Sequence, residues 1–183
     1  MGKDRVGIIF VGGVHGVGKS TCCQQVAERT GLRWLTASVL IKAEMQSAIA
    51  VGSKVVVDPI GNQELLLRGV RNCLSSDHGR ALLDGHFTVL NVDGEIVAID
   101  IDVFVRLGLE RIIVIRDQAA AICNRLRERD GQDWSIYIIS VHQDAEISQA
   151  HAVATKLRLP VLLIDAFDAN GLEKAVEWIR GQA

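Results

Sequence analysis

The run Gly13-Val14-His15-Gly16-Val17-Gly18-Lys19-Ser20-Thr21 follows directly on the apolar segment Val6–Val11. It fits the spacing G-x-x-x-x-G-K-[ST], and it constrains the fold more than any other feature. A chain can hold a polyphosphate only where successive backbone N–H groups converge on the oxygens without side chains in the way, and glycines permit that approach. The spacing places Lys19 toward the β- and γ-phosphates and the Ser20 hydroxyl where it can ligate Mg²⁺. The segment Gly13 to Thr21 is therefore expected to form a nucleotide-phosphate cradle at a strand-to-helix junction. Its helix should run from near Gly18 to Thr30, with Gly31 as its stop. The positive end of that helix then adds to the charge of Lys19.

A phosphate loop in this setting requires more parallel strands beside it, and the chain supplies apolar runs alternating with amphipathic stretches. Strands are expected at Val6–Val11, Arg33–Leu35, Ala81–Asp84, Ile112–Ile115 and Val161–Ile164. Each is nearly continuous in apolar residues, as strands buried on both faces are. The fold class is α/β, with a five-stranded parallel sheet between two layers of helix. Ser38 is expected to cap a helix through Ala48, a second helix to span about 60–74, and Asp117 to cap a helix ending near Arg129. The pattern from Thr88 to Ala98 predicts a small hairpin turning at Asp93-Gly94. Val55-Val56-Val57 has strand propensity. Ile136-Tyr137-Ile138-Ile139 is expected to open a long helix to Leu157, and Leu172–Ile179 to form the last one.

The 183 residues suit a single domain spanning 1–183, without internal repeats or a linker. A net charge of −2 gives no general attraction to nucleic acid. Four cysteines, Cys22, Cys23, Cys73 and Cys123, show neither zinc-ligand spacing nor a secreted disulfide framework, which favours reduced thiols and a cytoplasmic location. No apolar run reaches the roughly 20 residues of a membrane helix, so no membrane association is expected. The sequence leaves a homo-oligomer open.

A second chemical element is Leu82-Leu83-Asp84-Gly85-His86, an apolar strand ending in a carboxylate. An acid there can hold the Mg²⁺ shell opposite Ser20. His86 is placed to orient water or a substrate hydroxyl, contact a phosphate, or satisfy a local carbonyl. His78, His142 and His151 lack partners at metal-ligand spacing and are expected on solvated faces, whereas His15 lies inside the loop. The third element is the series Arg116, Arg125, Arg127 and Arg129. Arg125 and Arg129 share a helical face, and guanidinium forks neutralise phosphoryl charge.

Taken together, Gly13–Thr21, Asp84-Gly85-His86, the hairpin after it, Ile112–Arg116 and the helix bearing Arg125-Leu126 resemble the adenylate kinase-like branch of P-loop kinases. The pattern is most similar to archaeal-type and atypical nuclear-type adenylate kinases. The resemblance implies ATP·Mg²⁺ as donor and a nucleoside monophosphate as acceptor, with an acceptor-binding region at about 36–75 and a lid at about 125–140. It implies that Lys19 and the loop amides hold the donor phosphates, that Ser20 and Asp84 hold the metal, and that Arg125 and Arg129 hold the transferring group, with Arg129 also against adenine. Ser38, Lys42, His86 and Thr88 are the acceptor-side candidates. Lys42 stands where such enzymes often carry an arginine, replacing a bidentate fork by a point charge. The loop and the acid leave open a kinase of another small metabolite, or a nucleotide-dependent switch or assembly ATPase.

Overall fold

The structure, a computed structural model, describes residues 7–50, 59–74 and 79–181. Val6, Val55-Val56-Val57 and His78 lie outside the described residues. The main sheet comprises β1 (Ile8–Gly12), β2 (Arg33–Thr36), β3 (Ala81–Asp84), β6 (Leu109–Arg116) and β7 (Val161–Asp165), all parallel, in the order β2-β3-β1-β6-β7. A two-stranded antiparallel ribbon, β4 (Thr88–Leu90) and β5 (Ile96–Ala98), stands apart from it. Seven helices are found among the described residues: α1 (Lys19–Thr30), α2 (Ala37–Ala50), α3 (Pro59–Leu74), α4 (Ile101–Leu107), α5 (Ala119–Asp130), α6 (Ile136–Leu157) and α7 (Ala169–Arg180).

Alternation along the central strands splits the core into two layers, because successive side chains of a strand point to opposite faces. Ile8 and Phe10 of β1 join Leu83, Ile112 and Val114 in packing against α2, α3, α4 and α6. Ile9 and Val11 join Leu82, Ile113 and Ile115 against α1, α5 and α7. Both faces are thus covered, as an all-parallel sheet requires, and the expected three-layer α/β architecture is found. On the first face, Phe10, Phe87 and Phe104 form an aromatic cluster with ring centroids 4.8–5.3 Å apart.

The order of the strands positions the site. From β1 the chain crosses to β2 on one side, whereas from β3 it crosses to β6 on the other. The carboxyl ends of the neighbours β1 and β3 therefore border a crevice from which connections diverge, the place where open α/β sheets bind ligands. The phosphate loop leaves β1 there and Asp84 ends β3 there; Val11 pairs with Asp84 across the two strands.

Three local expectations differ from the structure. The helix expected to start at Ser38 begins at Ala37, immediately after β2, so Ser38 lies in its first turn and is not the cap. The helix expected to be capped by Asp117 is flanked by Gln118 instead. Asp117 accepts from the Gln118 amide at 2.7 Å and from Arg125 at 2.7 Å, so its carboxylate is engaged elsewhere. Helix α4 has no counterpart in the sequence reading. Asp100 caps it by accepting from the Asp102 amide, and Gly108 ends it in the left-handed region, the usual devices at the two ends of a helix.

Candidate functional site

The site begins with the loop between β1 and α1. Gly16 (φ 77°) and Gly18 (φ 109°) adopt backbone conformations that side chains disfavour. A Cβ on Gly18 would also stand 2.8 Å from the tip of the exposed Phe167 ring, which would have to move aside, so it is the backbone conformation that demands glycine there. Val14 and Val17 are fully buried among the residues facing α1, α5 and α7. They anchor the loop from below.

Lys19, the first residue of α1, is 8% exposed. Its Nζ donates to the carbonyls of Gly13 (2.7 Å) and Val14 (3.1 Å). Burial holds its pKa below the ordinary lysine value, and the nearby carboxylates of Asp84 and Glu146 oppose that shift, because burial disfavours a charge that an opposite charge supports. Ser20 donates its hydroxyl to Asp84 Oδ2 at 3.0 Å. Asp84 is 4% exposed. Burial raises its pKa, with Lys19 and the Ser20 hydroxyl pulling the other way. A helical hydroxyl and a strand-end carboxylate, 64 residues apart in sequence, thus meet beside an ammonium.

Above this pair lies a cavity of about 560 Å³ bordered by the loop, Asp84, His86, Arg125, Arg129 and Phe167. Arg125 donates to the Gly16 carbonyl at 2.9 Å and to Asp117 at 2.7 Å, and its guanidinium lies 4.9 Å from the centre of the Phe167 ring. Arg129 donates to Asp130 and contacts the His15 ring. Phe167, in the loop after β7, has φ 59° and is 64% exposed. Such a conformation is uncommon for an aromatic residue.

A second cavity, of about 340 Å³, adjoins the first, and Ala37, Ser38 and His86 line both. Its walls are largely apolar, with Phe10, Ile41, Leu66 and Phe104 among them, and its polar edges come from Ser38, Asn62, Gln63 and His86. The Asn62 Oδ1 is buried without a hydrogen-bond partner. About a third of the His86 side chain is exposed, while its Nδ1 is buried. Burial, then the charge of Lys19, depresses its pKa well below the usual histidine value.

A family model described as an AAA domain matches residues 12–137, more than half of the chain. The chain belongs to the AAA domain family. Two solved structures share the fold of this AAA-domain chain. One is a gluconokinase from Sinorhizobium meliloti 1021, 16% identical over 100% of this chain and 99% of that one, with a TM-score of 0.53. The other is a sugar kinase from Janibacter sp. HTCC2649, 16% identical over 96% of this chain and 95% of that one, with a TM-score of 0.57. A comparison with curated proteins gives no match. The fold expected from the sequence, that of P-loop kinases, is therefore the fold found.

Within the AAA domain the expected site residues fall into two groups. Gly16, Gly18, Lys19, Ser20, Thr21, Asp84, His86, Arg125 and Arg129 come together around the larger cavity, with His15 at its rim and Ser38 at its junction with the smaller one. Gly13 lies beneath the loop and donates its amide inward to Glu146 at 3.0 Å. Lys42 is exposed on α2 and lines neither cavity. Thr88 is buried, and its hydroxyl donates to Glu146 at 2.6 Å. His142 is buried on α6, against the expectation of a solvated face. Sequence reasoning missed Phe167, Asn62, Gln63 and Glu146. An aromatic in a loop leaving the carboxyl end of a parallel strand was a usable sign for Phe167.

Among the described residues no helix is long and apolar enough to cross a membrane. Nor does any group of three or more His, Cys, Asp or Glu form a resident metal site among them. Ser20 and Asp84 nevertheless fit a Mg²⁺ that arrives with a nucleotide, since that ion takes one or two protein oxygens and completes its shell with phosphate and water.

Proposed function

We propose that the chain transfers the γ-phosphoryl group of ATP to a small metabolite. The observation that carries this reading is the junction of the two cavities: a donor cradle opens directly onto a compartment with polar edges and apolar walls, and Ser38 and His86 border both. A switch ATPase needs the first cavity and has no use for the second.

In this reading the amides of residues 14–20 and Lys19 hold the donor phosphates. Lys19 exchanges its bonds to the Gly13 and Val14 carbonyls for phosphate oxygens. Ser20 and Asp84 would hold Mg²⁺, which would supply positive charge to the donor phosphates. Arg125 and Arg129 face the same cavity and offset charge on the transferring group, while Phe167 offers its exposed ring to the base of the donor. The acceptor lies against Phe10 and Phe104, with Ser38, Asn62 and Gln63 available to its polar groups, and His86 stands where its oxygen meets the phosphoryl group. Catalysis is then mainly alignment and charge neutralisation with water excluded.

The acceptor compartment favours a hydroxylated metabolite. Among the described residues lining it there is neither lysine nor arginine, and Asn62 offers an unused acceptor oxygen to a hydroxyl. The kinases that share the fold include a gluconokinase and a sugar kinase, in line with this choice. A nucleoside monophosphate, as in adenylate kinases, is the second reading, favoured by Arg125 and Arg129 lying on one face of α5 over the donor cavity. The test is product identification by mass spectrometry after incubation with ATP, Mg²⁺ and a panel of sugars, sugar acids, alcohols and nucleoside monophosphates. A phosphorylated sugar or alcohol supports the first reading and a nucleoside diphosphate the second. ATP hydrolysis with every acceptor unchanged overturns both.

A further inference from the structure

Beneath the phosphate loop lies a carboxylate that lines neither cavity. Glu146, in the middle of α6, is 0% exposed. Its Oε1 accepts from the Gly13 amide at 3.0 Å and the Phe87 amide at 2.8 Å. Its Oε2 accepts from the Thr88 amide at 2.7 Å and the Thr88 hydroxyl at 2.6 Å. One side chain thus satisfies donors from two segments far apart in sequence, the first residue of the donor loop and the segment that follows His86. Without it three buried backbone N–H groups would lose their partner, which is costly enough to require a reason.

We infer that Glu146 is a positioning residue that couples the acceptor side of the site to the phosphate loop. By holding the Gly13 amide it fixes the start of the loop. By holding Phe87 and Thr88 it fixes the segment that carries His86 to the junction of the cavities. A shift in either segment must lengthen bonds to the same two oxygens, and a rigid helix behind them resists it. The geometry is also selective for a carboxylate. A glutamine at 146 presents one acceptor oxygen and an NH₂ group, and that NH₂ would face donors already aimed at Oε2 or Oε1.

The inference rests on the donor-site reading above, and it is tested by binding, so that no acceptor need be known. The probe is a non-hydrolysable ATP analogue with Mg²⁺, titrated calorimetrically into the full chain. Thr88 lines neither cavity, yet T88V, which removes the hydroxyl and keeps the shape, should weaken binding about threefold or more, and T88S should restore it to within about twofold. E146Q should weaken binding about tenfold, and adding T88V to it should cause little further loss, because the hydroxyl then has no carboxylate to act through. Hydrogen exchange serves as a second readout: the Gly13 amide should exchange faster in T88V than in the wild type while the amides of β6 keep their protection. A T88V chain with unchanged affinity and unchanged Gly13 exchange overturns the coupling while leaving the donor site standing, and so do T88V and E146Q effects that simply add. Wild-type chain that gives no heat with the analogue overturns the donor site itself, and the coupling with it.

Discussion

Replacing Asp84 by Asn should separate stability from catalysis. The carboxyl is 4% exposed, and burial raises its pKa more than Lys19 and the Ser20 hydroxyl lower it. A carboxyl whose pKa is higher folded than unfolded stabilises the fold only while protonated, and that contribution is lost as pH rises through the folded value. At neutral pH the charge is thus a cost to folding. Asn keeps the shape and an oxygen for the Ser20 hydroxyl, now 3.0 Å from Oδ2. It forfeits the attraction to Lys19, which offsets part of the gain. Relieving strain of this kind at a functional site typically returns roughly 0.5–2 kcal/mol. With the offset, the lower end applies, and a chain of this size should melt about 2–4 °C higher per kcal/mol gained. Phosphoryl transfer should fall about 10²–10³-fold, as when one charge-stabilising group is removed from a reaction centre. Paired thermal melts and coupled turnover assays on the two proteins provide the measurement. D84N that turns over like the wild type, or that melts lower by more than about 4 °C, refutes the reasoning, since the acid would then be either idle or structural.

Three further outcomes follow from the same geometry. Phe167→Ala should weaken ATP binding about five- to tenfold, the scale of losing about 1 kcal/mol or slightly more of ring contact, and unchanged affinity would remove the ring from the donor site. His142 is buried with its Nε2 unpartnered, and burial lowers its pKa below the usual histidine value, with the Glu146 carboxylate opposing. An unfolded chain therefore binds the proton more readily, and stability should fall as pH drops below about 6.5 toward the folded value. His142→Asn should remove part of that acid limb in denaturant titrations, the part due to His86 and His15, whose pKa values burial also lowers, remaining; a wild-type stability that is level between about pH 7 and 5 would contradict it. Gly16 sits at φ 77°, and a Cβ added there would meet Leu126 at 2.7 Å. Gly16→Ala should therefore cost roughly 1–3 kcal/mol, a loss readable by urea denaturation; an unchanged midpoint would show that the loop tolerates the side chain.

What the sequence disclosed and what it hid divide along the range of the interactions involved. The phosphate loop was legible because its geometry is local: glycines with positive φ, then a lysine and a serine at the first turn of a helix. Asp84 was legible by a rule about strand ends, and the strands themselves by continuous apolar runs that only a sheet covered on both faces produces. The caps at Ser38 and Asp117 were misread, since tertiary contacts decided between neighbouring residues. Thr36 passes straight into α2, and Asp117 is claimed by Arg125. Helix α4 escaped notice as a short segment between a hairpin and a strand, too brief for periodicity to register. Glu146 was hidden for a different reason. Its partners, Gly13, Phe87 and Thr88, are distant in the chain, and only its place in the buried stripe with Ile139, His142, Ala150 and Val153 marked it. A carboxylate at such spacing on a largely apolar face is a sign that a buried set of donors awaits it.

The central claim is that main-chain amides and one buried ammonium grip a triphosphate beside Ser20 and Asp84. Isothermal titration of ATP with Mg²⁺ into the wild-type chain and into K19A addresses it most directly. The expected result is saturable binding at one site in the wild type and a loss of about 100-fold or more in K19A, with both proteins giving the same circular dichroism spectrum. Equal affinity of the two proteins, or no heat from a folded wild type with any nucleoside triphosphate, would contradict it.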